Sequence, residues 1–360
     1  MSIALGFNIM SAICLALMLT IDPIMVGDCY RNKPNQAWFV TSVLGSLTGL
    51  ILTYLVWCGS VYVGEVESIS VLVSTAKDFA FGRGIVMLVV GGLGGQLLLY
   101  YFRCFGNKAS SATVAMWLAT TPIFVHIIMF LITIFVPIDG VATTSVNPTF
   151  TVGVVIATMG IVWFERLTGS DAERASIAKE NRKDLIMLLV FSVASIILLK
   201  QVLHVSEGRP NEWIEVLALM PFYWVGFGVG ALVILKGEER KTFSLNWKRR
   251  VKYFILPIIF TEVFGMLVFF FEYLGLTELD PALVSIISGA SVFMVYGINI
   301  KLGGMKREME VRNIRRRYVM GVRLLARKLP QPSIDTSTIV KEVCAMTLLI
   351  IGITFVSLGS

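Results

Sequence analysis

Charged residues are scarce in this chain. Asp, Glu, Lys and Arg make up 15% of its 360 residues, whereas 56% are hydrophobic, and the mean hydropathy is +0.78. A water-soluble domain of this length cannot bury so much apolar surface, so the composition excludes that class. The chain is typical of a protein that crosses a membrane several times.

Histidine and cysteine, which often act in catalysis or bind metals, are also rare. There are two histidines and five cysteines, and the cysteines lie in or beside apolar runs without the spacing of metal ligands. No HExxH, Gly-x-Ser-x-Gly or phosphate-binding P-loop motif occurs. We therefore expect a protein that is not an enzyme, with no catalytic residue, no metal and no cofactor. Any pumping would then use an ion gradient.

Long apolar runs dominate what is present. A run of about 20 apolar residues can cross the hydrocarbon core, and a helix pairs its backbone groups there. The polar stretch 60–83 is predicted to form an outer loop. We predict an all-α membrane protein with transmembrane segments 1 to 10 near 4–26, 37–59, 84–105, 110–135, 149–167, 185–204, 213–236, 252–274, 281–301 and 339–358.

The second five segments echo the first five. Lys33-Pro34-Asn35-Gln36 opens segment 2 and Arg209-Pro210-Asn211-Glu212 opens segment 7, an offset of 176 residues. Ala119-Thr120-Thr121-Pro122 in segment 4 matches Ser288-Gly289-Ala290-Ser291 in segment 9, an offset of 169 residues. Five crossings per copy would invert one copy relative to the other, as in many secondary transporters. The predicted organisation is a first repeat at 1–168, a polar linker at 169–184 and a second repeat at 185–360.

The net charge of +7 is concentrated on one predicted side of the membrane. Of the 31 Lys and Arg residues, all lie in or beside the connections after odd-numbered segments except Lys77, Arg83, Lys200, Arg209 and Lys341. The positive-inside rule then places these connections in the cytoplasm and both termini outside it. Cytoplasmic loop charge explains the basic composition, so no nucleic-acid partner is expected.

The largest insertion, 303–338, carries part of this charge. Val311, Ile314, Tyr318, Leu325 and Leu329 recur at spacings that fit one face of a helix, and arginines occupy the remaining surface. We predict an amphipathic helix along the cytoplasmic leaflet, with anionic lipid headgroups as partners of 303–329. A structural anchor and a regulatory or docking helix both remain open.

Several short stretches resemble a known family. They are Leu98-Leu99-Tyr100-Tyr101-Phe102-Arg103-Cys104-Phe105, Ser111-Ala112-Thr113-Val114-Ala115, Thr121-Pro122-Ile123-Phe124, the pair Gly153 and Gly160, and in the second half Ala282-Leu283-Val284-Ser285 with the pair Ala345 and Gly352. In these the chain resembles the ten-helix EamA-type branch of the drug/metabolite transporter superfamily. The resemblance implies alternating access to a central cavity lined by segments 1, 3, 4, 6, 8 and 9, with export of small metabolites. Family members usually place both termini in the cytoplasm, whereas the charges here indicate the opposite orientation.

Glu262 is the strongest candidate for chemistry, because it lies near the middle of segment 8 and an ionisable group there is costly. Its expected role is a proton-sensitive group in the cavity, with a protonated structural carboxyl as the alternative. Gln96 in segment 3 corresponds to Gly265 by the repeat offset, so Gln96 and Glu262 are predicted on opposite walls of one site. Arg103 and Glu272 hold equivalent places near helix ends, where interfacial positions or a gating pair are both open.

The remaining substrate-binding candidates each have a structural alternative. Lys200 would extend to the interface or contact a substrate carboxylate, and His126 would pack in the helix bundle or titrate in the cavity. Aromatic candidates would clamp a substrate or pack, and small polar ones would supply hydrogen bonds at similar depth. These two groups are Tyr100, Trp117 and Tyr296, and Asn8, Ser11, Thr120, Ser285 and Ser288.

The sequence thus predicts a secondary transporter in the inner or plasma membrane that moves a small metabolite or drug-like solute by alternating access, coupled to protons or another gradient. The alternative is a flippase for lipids or lipid-linked sugars, which the basic insertion favours. The oligomeric state stays open between a monomer and a homodimer.

Overall fold

The computed structural model describes residues 3–24, 30, 33–91, 118, 120–136, 142–144, 147–168, 182–204, 212–229, 237–291, 293–295, 297–298 and 336–359. These ranges are helical apart from short turns and contain no β-strand, which confirms the all-α prediction. Four stretches are long and apolar enough to cross a membrane: Ile3–Thr20, Asn35–Tyr62, Lys183–His204 and Ile258–Leu276. Shorter apolar helices occupy Thr121–Phe135, Pro148–Phe164, Trp213–Val229, Pro281–Val295 and Val343–Val356.

Each predicted segment contains at least one helix. The helices of the first half are α1 (Ile3–Ile24), α2 (Pro34–Val40), α3 (Ser46–Tyr62), α4 (Ile69–Phe79, between segments 2 and 3), α5 (Arg83–Val89), α6 (Thr121–Phe135) and α7 (Pro148–Thr168). In the second half they are α8 (Arg182–His204), α9 (Glu212–Val229), α10 (Glu238–Leu276), α11 (Pro281–Gly289) and α12 (Thr336–Gly359). A π-helical turn, Thr41–Gly45, joins α2 to α3 within segment 2.

One predicted loop is wrong, and one predicted segment lies within a longer helix. The stretch 60–83 is not all loop, because α4 forms within it and buries Leu72 completely. The helix that contains segment 8 is longer than the predicted span: α10 begins at Glu238, after Gly237 turns the chain with a φ of +53°, and its membrane-length apolar part is Ile258–Leu276. The run of basic residues there continues the helix beyond the apolar part instead of ending it.

Helices α7 and α12 pack closely through small residues. A Cβ built on Gly160 would lie 2.8 Å from the carbonyl oxygen of Ala345, and one on Gly153 would lie 2.6 Å from the backbone nitrogen of Val356. Gly352 in turn faces the backbone of Ala157. Glycine and alanine at helical spacing let two membrane helices approach in this way.

The centre of the molecule is formed by contacts between α1, α3, α8, α9, α10 and α11. Helix α1 lies along α10, and the Ser11 hydroxyl donates to the carbonyl of Val268 over 3.0 Å. Trp224 and Tyr223 of α9 are buried against α3 and α10, where the indole of Trp57 donates to the carbonyl of Leu217. These contacts bring helices of both sequence halves together around the site below.

Some predictions fall outside the described residues. Most of the predicted linker 169–184 does so, and the described chain resumes at Arg182 as the start of α8. The basic insertion 303–338 does so as well, except for its last residues, which begin α12.

Candidate functional site

A cavity lies between helices from both halves of the chain. About 80 Å³ of it is open to the centres of water molecules, enough for several waters or a small solute. Its walls come from α1, the start of α6, the middle of α8, the second half of α10 and α11. The lining residues, called the central cavity below, are Leu15, Met18, Leu118, Thr121, Ser192, Ser195, Ile196, Val268, Phe269, Glu272, Ser285, Ser288 and Gly289.

Hydroxyl groups supply most of the cavity's polar side chains. The Oγ atoms of Ser285 and Ser288 are buried and have no hydrogen-bond partner among the described residues, and Ser285 as a whole is 2% exposed. Thr121 and Ser192 face each other at 3.4 Å between their hydroxyl oxygens. Since a buried hydroxyl without a partner costs free energy, Ser285 and Ser288 are available to a molecule inside the cavity.

Among the described residues that line the cavity, Glu272 is the one with a carboxyl group. It lies on α10, is half-buried, and forms no salt bridge within the described part of the chain. None of the lining residues is basic. The cavity therefore offers hydrogen-bond acceptors and one acidic group between apolar walls, an arrangement that suits a small molecule with amino or hydroxyl groups.

Glu262 lies elsewhere on the same helix, about 15 Å from Glu272 along the helix axis. It is 3% exposed, and its Oε1 accepts a hydrogen bond of 2.7 Å from the Thr41 hydroxyl. Thr41 begins the π-helical turn of segment 2. Glu262 is thus a deeply buried carboxyl that joins α10 to segment 2, and it is not among the residues that line the central cavity.

His126 and Lys200 also lie outside the cavity lining. The Nε2 of His126 pairs with the Thr151 hydroxyl at 3.0 Å, and its ring packs beside Phe150. The side chain of Lys200 is buried within the protein, with 6% of its surface exposed. Its Nζ donates to the carbonyls of Leu276 and Thr277 at 3.0 and 3.4 Å, where it balances the negative end of the α10 dipole.

Further polar contacts tie the helices together at the same end as Lys200. Arg83 forms a 2.6 Å salt bridge with Glu215 and donates to the carbonyl of Val202, which joins α5, α8 and α9. Asp280 caps the start of α11 and accepts a 2.6 Å hydrogen bond from Thr144. Burial raises the pKa of Asp280 above its usual value, although these hydrogen bonds counteract the rise.

The structure brings together only part of the predicted site. Ser285 and Ser288 line the cavity, and Thr120 precedes the lining residue Thr121. Ser11 holds the cavity wall through Val268, whereas the Asn8 side chain donates to the carbonyl of Ala4 in its own helix. The remaining predicted residues, Gln96, Tyr100, Trp117 and Tyr296, lie outside the described residues.

Sequence reasoning missed Thr121, Ser192, Ser195 and Glu272 as cavity residues. Glu272 was assigned an interfacial or gating place because it stands close to the end of segment 8. The available signal was the same for all four: a polar side chain inside an apolar helical run. In the described part of the chain, no three His, Cys, Asp or Glu residues come close enough to hold a metal ion.

Comparison with known proteins leaves the family open. No protein-family model matches the chain, and neither does any curated protein. One solved structure, named only "Crystal structure of protein", aligns with this chain at 14% identity and a TM-score of 0.47. The alignment covers 97% of this chain and 98% of the chain in that structure. A likeness of this strength assigns neither a family nor an activity.

Proposed function

We propose that this chain is a secondary transporter of the inner or plasma membrane, in which two inverted five-helix repeats enclose the central cavity. It moves a small metabolite or drug-like solute by alternating access, coupled to protons or another gradient. Membership of the drug/metabolite transporter superfamily, ten crossings and non-cytoplasmic termini belong to the same proposal.

The central cavity carries this proposal. Its walls combine helices of both halves, and the Ser285 and Ser288 hydroxyls, which have no partner among the described residues, line the same cavity as the Glu272 carboxyl group. A helix bundle with only a structural role would pair or omit such groups, because each unpaired buried hydroxyl costs about 1–3 kcal/mol. A transport site needs groups that can bind and then release a solute.

The pairing of helices supports the inverted repeat. Segments at equivalent places in the two halves touch each other: α3 with α9, α6 with α11, and α7 with α12. Equivalent helices meet in this way when they lie beside the two-fold axis of an inverted repeat. Gly45 and Pro221 lie 176 residues apart, the offset of the opening motifs: Gly45 ends the π-helical turn of segment 2, and Pro221, a residue that weakens a helix, lies inside α9.

The two buried carboxyl groups of α10 have different proposed roles. Glu272 contacts the solute, because it lines the cavity. Glu262 is the proton-sensitive group, because it is buried within the apolar part of α10 that is long enough to cross a membrane, and it bonds to Thr41 at a helix irregularity. Gain or loss of its proton would alter the contact between α10 and segment 2, which belongs to the other half.

Two experiments in sequence test the proposal. An untargeted comparison of metabolites in overexpressing and deletion cells identifies a solute, and its uptake is then measured in proteoliposomes. We expect Ser285→Ala and Glu272→Gln to lower uptake at least tenfold, while Ser74→Ala on exposed α4 leaves uptake unchanged. Uptake by both cavity variants at the wild-type rate would contradict the proposal.

A second candidate is a flippase for lipids or lipid-linked sugars. The basic insertion 303–338 favours it, because clustered arginines attract anionic headgroups. A scrambling assay with fluorescent lipid, on the full chain and on a variant lacking 305–329, distinguishes the two. Scrambling that depends on 305–329 supports the flippase, whereas solute uptake without scrambling supports the transporter.

A further inference from the structure

An apolar groove runs along the outside of α6 and α8. Its floor is formed by the buried side chains of Val193 and Ile197, and its rim includes the exposed side chains of Phe124 and Val190. The other lining residues, Ile128, Leu189, Ala194 and Leu198, are also hydrocarbon. The stretch of α8 that forms the groove, residues 189–198, extends for about 14 Å.

In a bilayer this groove faces hydrocarbon. Helix α8 is long and apolar enough to cross the membrane, and Val190 and Leu198 on it are about half exposed. An unfilled groove among lipid chains would lose dispersion contacts, so a hydrocarbon chain is the occupant that its chemistry fits.

The groove and the central cavity are two faces of the same pair of helices. On α6, Thr121 lines the cavity, and Phe124, about one turn further along the helix, lines the groove. On α8, Ser192 and Ile196 line the cavity, and the residues that follow them, Val193 and Ile197, line the groove. At this junction Thr121 and Ser192 are joined by a hydrogen bond of 3.4 Å, which is long for two hydroxyl groups.

We propose that the solute is a single-chain membrane amphiphile, with its head group in the central cavity and its hydrocarbon chain in the α6–α8 groove. The molecule reaches the cavity sideways from the bilayer, between Thr121 and Ser192. Glu272, Ser285 and Ser288 accept hydrogen bonds from an amino or hydroxyl head. This inference rests on the proposed function, since it assigns the substrate class of the same cavity.

Photolabelling of the full chain in nanodiscs tests this assignment without requiring transport. The probe is a long-chain primary alkylamine with a diazirine at the far end of its chain. We expect the label to concentrate on 189–198 and on Phe124 and Ile128, several-fold above the exposed apolar face of α7 that includes Val152 and Val155. A phospholipid with a diazirine in its chain should label both faces to similar extents.

The decisive variants act at a distance from the labelled residues. Ser285→Ala and Glu272→Gln lie in the cavity, so we expect them to reduce groove labelling by the amine at least fivefold, because the head group loses its anchor. Val190→Phe and Ala194→Phe fill the groove and should have the same effect. Val190 is half exposed, so its variant folds even if Ala194→Phe does not. Val155→Phe on α7 is the matched control and should change nothing.

Labelling that is equal on α7 and in the groove, or that is unaffected by the cavity variants, would overturn the inference. The proposed function fails separately: it fails if no solute is taken up in a manner that depends on Ser285 and Glu272. Uptake of a solute without a chain, unaffected by Val190→Phe, would overturn the amphiphile assignment and leave the transport proposal standing.

Discussion

The hydroxyl of Thr41 donates a hydrogen bond of 2.7 Å to the carboxyl of Glu262, across 221 positions of the chain. The bond joins the first residue of a π-helical turn to a helix of the other sequence half. Turns of this kind often occur at functional sites. Two predictions about this pair distinguish a role in stability from a role in coupling.

Thr41→Val removes the donor while keeping the shape of the side chain. Because a hydrogen bond to a carboxylate contributes about 2 kcal/mol, we expect a clear decrease in the thermal unfolding midpoint in nanodiscs. Thr53→Val in α3 is the control, since its hydroxyl bonds only to the carbonyl of Gly49 in the same helix. Equal effects of the two variants would show that the contact with Glu262 adds nothing.

Glu262→Gln keeps an oxygen that can accept the Thr41 hydrogen bond but removes the titrating group. We expect transport to persist with a flattened pH dependence, because the variant cannot gain or lose a proton. The measurement is the initial rate of uptake in proteoliposomes across a range of external pH. If rate and pH profile both match those of the wild type, Glu262 is not the coupling group.

Lys200→Met should destabilise the fold. The ammonium group donates to two carbonyls at the end of α10, and the apolar side chain removes both hydrogen bonds and a favourable charge from the helix end, a loss of about 2 kcal/mol. The unfolding midpoint of the purified protein is the readout. Lys200→Arg keeps the positive charge and should recover part of the loss. An unaltered midpoint for Lys200→Met would refute this assignment.

The raised pKa of Asp280 predicts how the stability of the fold changes with pH. Burial raises its pKa above the usual 3.8, so the folded state holds the proton more tightly than the unfolded state does. This group therefore favours the folded state at acid pH, and its contribution is lost as the pH rises through the folded-state pKa. Asp280→Asn cannot titrate, and its amide oxygen can still cap Ala282.

The measurement is the difference in unfolding midpoint between wild type and Asp280→Asn at a series of pH values above 3.8. The wild type should lose stability relative to the variant as the pH rises. A difference that stays constant across the series, or that changes in the opposite direction, contradicts the assignment.

Gly160→Leu should prevent the close packing of α7 and α12. Even the first carbon of a side chain would lie 2.8 Å from the Ala345 carbonyl, so the helices must separate, at a cost of about 3 kcal/mol or more. Gly59→Leu is the matched control, since a Cβ there meets no atom within 4 Å. The yield of folded protein after size-exclusion chromatography is the readout. Equal yields of the two variants would show that this contact is dispensable.

The helices were largely predictable from sequence because long apolar runs have one stable form in a bilayer. Segment 5 was predicted at 149–167 and is observed as Pro148–Thr168. The π-helical turn at Thr41–Gly45 could not be predicted, because a single glycine at its end does not specify a π-helix and the contact that Thr41 makes lies on a distant helix. Helix α4 was missed because its sequence is polar enough to be interpreted as a loop, although its face with Leu72 is buried.

The candidate site was less predictable than the fold. Depth along a segment correctly indicated that Glu262 is buried, but it did not show which way the side chain faces or that Thr41 is its partner. The same reasoning placed Glu272 near the end of its segment, but it did not show that the side chain lines the cavity. Rotation about a helix axis decides which residues meet, and an almost wholly apolar helix gives little indication of it.

Thiol labelling at position 285 tests the central claim most directly. In a chain without its five cysteines, Ser285→Cys is exposed to a membrane-impermeant maleimide from either side of oriented proteoliposomes. An alternating cavity predicts reaction from both sides, with rates that move in opposite directions when the gradient is reversed. If the thiol at position 285 reacts from neither side under any gradient, the core is sealed and dry. The transport account would then be wrong.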